Sequence, residues 1–99
     1  MENIKKLLDS SEAIENKANI FKALGHPTRL TIVEAVSIQE LCVCDIQKLV
    51  QLDMSTVSKH LTILKNAKVL HATKNGKFIF YSLKCECVKN FIKCLDGIS

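Results

Sequence analysis

The feature that most constrains this chain is Asn75-Gly76, standing between two strand-like runs at residues 69–74 and 77–83. Asn-Gly between such runs is the strongest short-range hairpin signal, because a type I′ turn needs positive φ at both central positions. The expectation is therefore a β-hairpin with its tip at 75–76. It sits in a chain whose remaining apolar residues recur at helical spacing.

Upstream, Ser10-Ser11 followed by Glu12 reads as a helix start, and Ala13, Ile14, Ala18, Phe21 and Leu24 carry the helix to Gly25. Pro27 suits a first helical position, and Leu30, Ile32, Val33 and Val36 continue a second helix. A short helix is expected at 43–50 around Ile46, Leu49 and Val50, and a turn at 51–54 ends in cap-type residues. A longer helix follows, with Met54, Val57, Leu61 and Leu64 on one face. Beyond the hairpin, Val88, Phe91, Ile92 and Leu95 mark a last amphipathic helix. Four helices, a hairpin and a helix, in the order α-α-α-α-β-β-α, make a mainly α winged helix-turn-helix, one domain spanning 1–99.

Ninety-nine residues bury only about 60–65% of the unfolded surface, so a homodimer built from the terminal helices is expected. Lys and Arg outnumber Asp and Glu by 14 to 10, a net +4 compatible with an anionic partner. No apolar run approaches the roughly 20 residues that cross a bilayer, and the opening residues lack a signal-peptide stretch. Five cysteines without a Cys-x-x-Cys pair argue for reduced thiols and a cytoplasmic location rather than a disulfide framework. No nucleophile–base pair, phosphate loop or catalytic carboxylate pair is evident, so an enzyme is not expected.

The segments Ala23-Leu24-Gly25-His26-Pro27-Thr28-Arg29-Leu30, Glu40-Leu41-Cys42-Val43-Cys44-Asp45-Ile46 and Ser55-Thr56-Val57-Ser58-Lys59-His60-Leu61 resemble the ArsR/SmtB family of metal-sensing repressors. The wing and Tyr81-Ser82-Leu83 extend the likeness over roughly residues 15–84. Leu-Cys-Val-Cys-Asp is similar to the arsenic- and cadmium-responsive branches. The resemblance implies a repressor that binds double-stranded operator DNA with an inverted repeat, needs no cofactor to do so, and releases it on binding an inducer ion.

On the long helix, Val57, Leu61 and Leu64 define the buried face, while Ser55, Ser58, Lys59 and Thr62 lie on the far side. With Thr56 they form the candidate DNA-reading set, hydroxyls and a lysine that can approach a major groove. Lys74 and Lys77 bracket the hairpin tip, where a winged helix meets the phosphate backbone. His60 flanks the core and is read as a packing histidine, as are the isolated His26 and His71.

Cys42 and Cys44 would point about 200° apart inside a regular helix, but at or before its first turn both can converge. A positive helix terminus also favours thiolate, and thiolates suit As(III), Sb(III), Cd(II) and Pb(II), with As(III) the expected inducer. Gln47 stands where the arsenic-responsive pattern usually has its third cysteine, and residues 1–41 contain none. Cys85 and Cys87 are then the candidates for further ligands, pointing to one face if their segment is extended. Cys94 lies too far along its helix to join them, and residues 84–99 hold no histidine for a zinc site there. The alternative function is a cysteine-based redox or reactive-sulfur sensor of the same fold, with Cys42 or Cys44 pairing to Cys85 or Cys87.

Overall fold

Side-chain caps set the starts of three of the six α-helices among the described residues. The computed structural model describes residues 1–98. Helix α1 (Glu2–Leu7) comes first and buries nothing, an addition to the expected order; six residues are too few to leave a periodic signal. Ser10 then starts α2 (Ser11–Leu24) by accepting the Ala13 amide at 3.2 Å. Helix α3 (Pro27–Ile38) has Pro27 in its first turn, and its cap is His26, whose Nδ1 accepts the Thr28 N–H at 3.1 Å.

The helix-turn-helix is α4 (Val43–Val50) followed by α5 (Met54–Asn66). Gln51 ends α4 in the left-handed region at φ 55°, and Asp53 caps α5. After α5, Lys68 takes φ 64°; its N–H donates to the Lys65 carbonyl and that of Val69 to the Leu64 carbonyl, both at 3.0 Å. These two hydrogen bonds satisfy the last carbonyls of the helix and aim the chain into the wing. Helix α6 (Glu86–Cys94) closes the order, followed by one 3₁₀ turn at Leu95–Gly97.

The wing is β2 (Leu70–Asn75) against β3 (Phe78–Leu83). Asn75 pairs with Phe78, so the two-residue loop is Gly76-Lys77, one position later than expected. Gly76 lies at φ +64° and Lys77 is not left-handed. That pattern belongs to a type II′ turn, which asks for glycine at its first central position, rather than the expected type I′. A further strand, β1 (Leu41–Cys42), was not expected. It pairs antiparallel with β3, Leu41 opposite Tyr81 and Cys42 opposite Phe80, giving the order β1-β3-β2.

One apolar cluster joins these elements. Ile32, Val33 and Val36 of α3, Ile46 of α4, Val57, Leu61 and Leu64 of α5, and Val69, Leu70 and Ile92 are all buried in it. Each such side chain contributes about 1.5–3 kcal/mol on leaving water. The three α5 positions are those expected, whereas Leu49 and Met54 are 48% and 38% exposed. Ile14, Phe21, Phe91 and Leu95 also remain exposed along α2 and the C-terminal segment, with the Phe21 and Phe91 rings edge to face at 5.7 Å.

Candidate functional site

The outer face of α5 is organised from its cap. Asp53 accepts the Thr56 amide at 3.2 Å, the Thr56 hydroxyl at 2.5 Å and the Ser55 hydroxyl at 3.0 Å. These bonds, that from the Thr56 hydroxyl foremost, lower the Asp53 carboxyl to a pKa of about 2. The Ser55 and Thr56 protons are thus committed to the cap, leaving their oxygens as acceptors. Ser58, Lys59 and Thr62 are exposed beyond them. Lys74 and Lys77 stand exposed at the wing tip, with Lys77 Nζ 5.8 Å from the centre of the Phe78 ring.

Three residues absent from the expected site hold this helix in place. Arg29 donates through Nε to the Ala23 carbonyl at 2.7 Å and through Nη2 to the Lys22 carbonyl at 3.4 Å, binding the end of α2. Its Nη1 stands 3.2 Å from His60 Nδ1 on α5, and since guanidinium only donates, His60 accepts. The His26 and His60 rings lie 4.7 Å apart. Burial first, then His26 and Arg29, pushes the His60 pKa below the ordinary histidine value. No spacing rule links positions 26, 29 and 60; only packing brings them together.

The cysteines fall into two pairs. Cys42 is the N-cap residue of α4 and is half-buried, Cys44 is exposed in the first turn, and the Cys42 thiol donates to Asp45 Oδ2 at 3.1 Å. Cys42 also belongs to β1, so the same residue begins the helix-turn-helix and pairs with the wing strand. Gln47 donates to the Leu52 carbonyl at 3.4 Å and fastens the turn between α4 and α5. Cys85 is the N-cap residue of α6, extended at φ −141°, and its Sγ lies 2.6 Å from that of Cys87. The Cys87 thiol's hydrogen bond holds Cys85 below the ordinary thiol pKa, and the same shared proton raises Cys87. Cys94 is exposed at the end of α6.

Among the described residues, no three His, Cys, Asp or Glu side chains are grouped so as to hold an ion. The structure therefore brings together Cys85 with Cys87, and places Cys42 and Cys44 at one helix start, without joining the two pairs in one chain. No helix among the described residues is long and apolar enough to cross a membrane.

The short helix, turn, capped outer helix and hairpin wing define the winged helix-turn-helix class of DNA-binding regulators. Residues 26–71 match the arsR family of bacterial regulatory proteins. An arsenical resistance operon repressor from Staphylococcus xylosus is 33% identical over 82 residues, 83% of this chain and 79% of the relative. A cadmium resistance transcriptional regulatory protein CadC homolog from Staphylococcus aureus is 40% identical over 77 residues, 77% of this chain, which spans only 64% of that relative. In fold, the homodimeric winged helix-turn-helix DNA-binding domain of a possible ArsR-family regulator from Mycobacterium bovis superposes with a TM-score of 0.82 at 22% identity, covering 93% of this chain and 88% of that one. The chain belongs to the arsR family, whose members are transcriptional regulators and not enzymes.

Proposed function

We propose that this chain is a homodimeric, cytoplasmic repressor, one domain that occupies an inverted-repeat operator when unliganded and leaves it when a thiophilic ion binds Cys42 and Cys44. The observation that carries this reading is the double role of Cys42, which stands at the N-cap position of α4 and pairs with Phe80 of the wing strand. Ligation that draws Cys42 toward Cys44 must break the thiol's bond to Asp45 and shift the start of α4. That motion displaces α5 through the Gln47-fastened turn, and the wing through β1. A coupling of about 1–3 kcal/mol suffices, since it changes DNA affinity some 5–150-fold.

The donors suit As(III), Sb(III), Cd(II) or Pb(II), and As(III) is the inducer proposed first. The two thiolates need a third donor from outside this group, from the partner subunit, a small thiol or water. Ser58, Lys59 and Thr62, with the acceptor oxygens of Ser55 and Thr56, face the major groove in this reading, and Lys74 and Lys77 meet phosphates. Exposed Ile14, Phe21, Phe91 and Leu95 support a dimer seam along α2 and α6.

The test is fluorescence titration of operator release with each ion. As(III) should release the wild-type complex, and response to none of the ions would end the ion-sensing reading. Lys74→Ala and Lys77→Ala should weaken all DNA sequences alike and flatten the salt dependence by roughly 0.9 slope units for each phosphate no longer neutralised. Ser58→Ala should instead reduce discrimination between operator and random DNA. Sedimentation at micromolar concentration should give a dimer.

A further inference from the structure

His26, Arg29 and His60 lie where α2, α3 and α5 meet, and neither the DNA-reading face nor the thiol chemistry uses them. Arg29 spans the junction. Its Nε and Nη2 hold the Ala23 and Lys22 carbonyls at the end of α2, and its Nη1 holds His60 Nδ1 at 3.2 Å. Helix α5 is otherwise seated by the apolar side chains Val57, Leu61 and Leu64. Apolar packing is non-directional, whereas a hydrogen bond fixes an angle. The Arg29–His60 bond therefore sets the roll of α5 about its own axis, and with it the aim of the exposed Ser58, Lys59 and Thr62.

That bond exists in one protonation state only. Guanidinium donates and never accepts, so His60 must present a bare Nδ1 to it. A second proton on the ring turns the acceptor into a donor facing a donor, and sets one cation against another. The groups around His60 do not offset this. From α3 come His26, its ring centre 4.7 Å away, and Arg29, and from the end of α2 comes Lys22, all of them basic. On α5 itself Lys59 is the next residue, and the Asp53 carboxylate, about two turns back, is held by Ser55 and Thr56. We infer that His60 is a proton-operated catch on the DNA-reading helix: neutral, it fastens α5 to Arg29, and protonated, it lets α5 roll so that sequence discrimination falls. Burial, His26 and Arg29 keep its pKa below the ordinary histidine value, so the catch is closed at neutral pH and opens on acidification below about pH 6.5.

The catch rests on α5 being the DNA-reading helix, as proposed above, and the experiment tells failure of one from failure of the other. An operator duplex selected at about pH 7.5 and a scrambled duplex of the same composition are each titrated with the reduced full chain. Ionic strength is held constant, no inducer ion is present, and the pH is lowered stepwise to about 5. The operator-to-scrambled affinity ratio should fall about fivefold or more, while affinity for the scrambled duplex holds or rises because the chain gains positive charge. An acid-unfolded chain would lose both affinities together. The midpoint of the fall should coincide with the His60 ring titration followed by NMR. His60→Gln gives Arg29 an amide oxygen that does not titrate, and its ratio should stay level across the range. His71→Gln should fall as the wild type does. A constant ratio in the wild type, an equal fall in His60→Gln, or a collapse of both affinities together would overturn the inference. Failure to select any operator at the higher pH would end the DNA-reading assignment of α5, and the catch with it.

Discussion

Cys42-Val43-Cys44 and Cys85-Glu86-Cys87 have the same spacing and occupy the same place on two helices: an N-cap residue and the second helical position. Their geometries nevertheless diverge. In the first pair the N-cap thiol turns away to Asp45, three residues on; in the second, the residue three on is Val88, which offers no acceptor, and the two thiols meet each other. The first pair is also tied into the sheet through β1, whereas the second begins after β3 has ended and lies beside an open apolar groove between α2 and α6. One carboxylate and one two-residue strand therefore separate a pair wired to the DNA-binding elements from a pair turned upon itself. Spacing alone does not define what a dithiol does.

The largest effect that would break this contrast is on induction. Cys42→Ser and Cys44→Ser should each abolish ion-triggered operator release while leaving operator binding nearly intact, because serine keeps the size and loses the soft donor. Cys85→Ser/Cys87→Ser should retain release by inorganic As(III). If the second double variant is the one that loses it, the two pairs share one site across the dimer. Cys94→Ser should change neither property.

A smaller change tests Asp45 directly. Asp45→Val places at the first pair the apolar residue that the second pair already has, and frees the Cys42 thiol from its carboxylate. Bridging of Cys42 to Cys44 by phenylarsine oxide should become several-fold faster, read by peptide mapping. An unchanged rate would show that the strand, not the carboxylate, keeps those thiols apart.

The histidine cluster provides a lever outside both pairs. His60 titrates below its ordinary value in the folded chain, so between its folded and unfolded pKa values the unfolded state holds the extra proton. Its contribution is complete above about pH 6.5 and declines as the pH falls below that. Urea midpoints should drop from pH 7.5 to pH 5.5, and His60→Gln should reduce that slope. The drop should be the same in the Cys42→Ser and Cys85→Ser chains, and a difference would couple a thiol pair to α5 through Arg29. The smallest effect belongs to Gln51→Gly, which relieves a left-handed residue at the end of α4 and should add about 0.5–1 kcal/mol to stability. If it also alters ion-triggered release, the turn itself carries the signal from Cys42 to α5.

Much of this was legible in the chain. Ser10, Pro27 and Asp53 mark helix starts because capping is local chemistry, satisfied within three residues. The buried face of α5 follows from 3.6-residue periodicity, and the wing from strand-like runs around a glycine turn. The turn's one-residue shift was not legible, because Asn75 pairing with Phe78 depends on how the ladder ends. Nor was α1, which has no buried face to pattern.

By itself, then, the sequence determined helices α2 to α6, the two wing strands and their order, and the placing of both thiol pairs at the edges of helices, all of which depend on neighbours a few residues apart. Only the tertiary structure decided that Leu41 and Cys42 add a strand beside β3, that Arg29 joins the end of α2 to His60, and that α2 and α6 leave an open apolar groove beside Cys87. Each of these joins residues some 30 to 70 positions apart, where no local periodicity operates and the common apolar core sets the geometry.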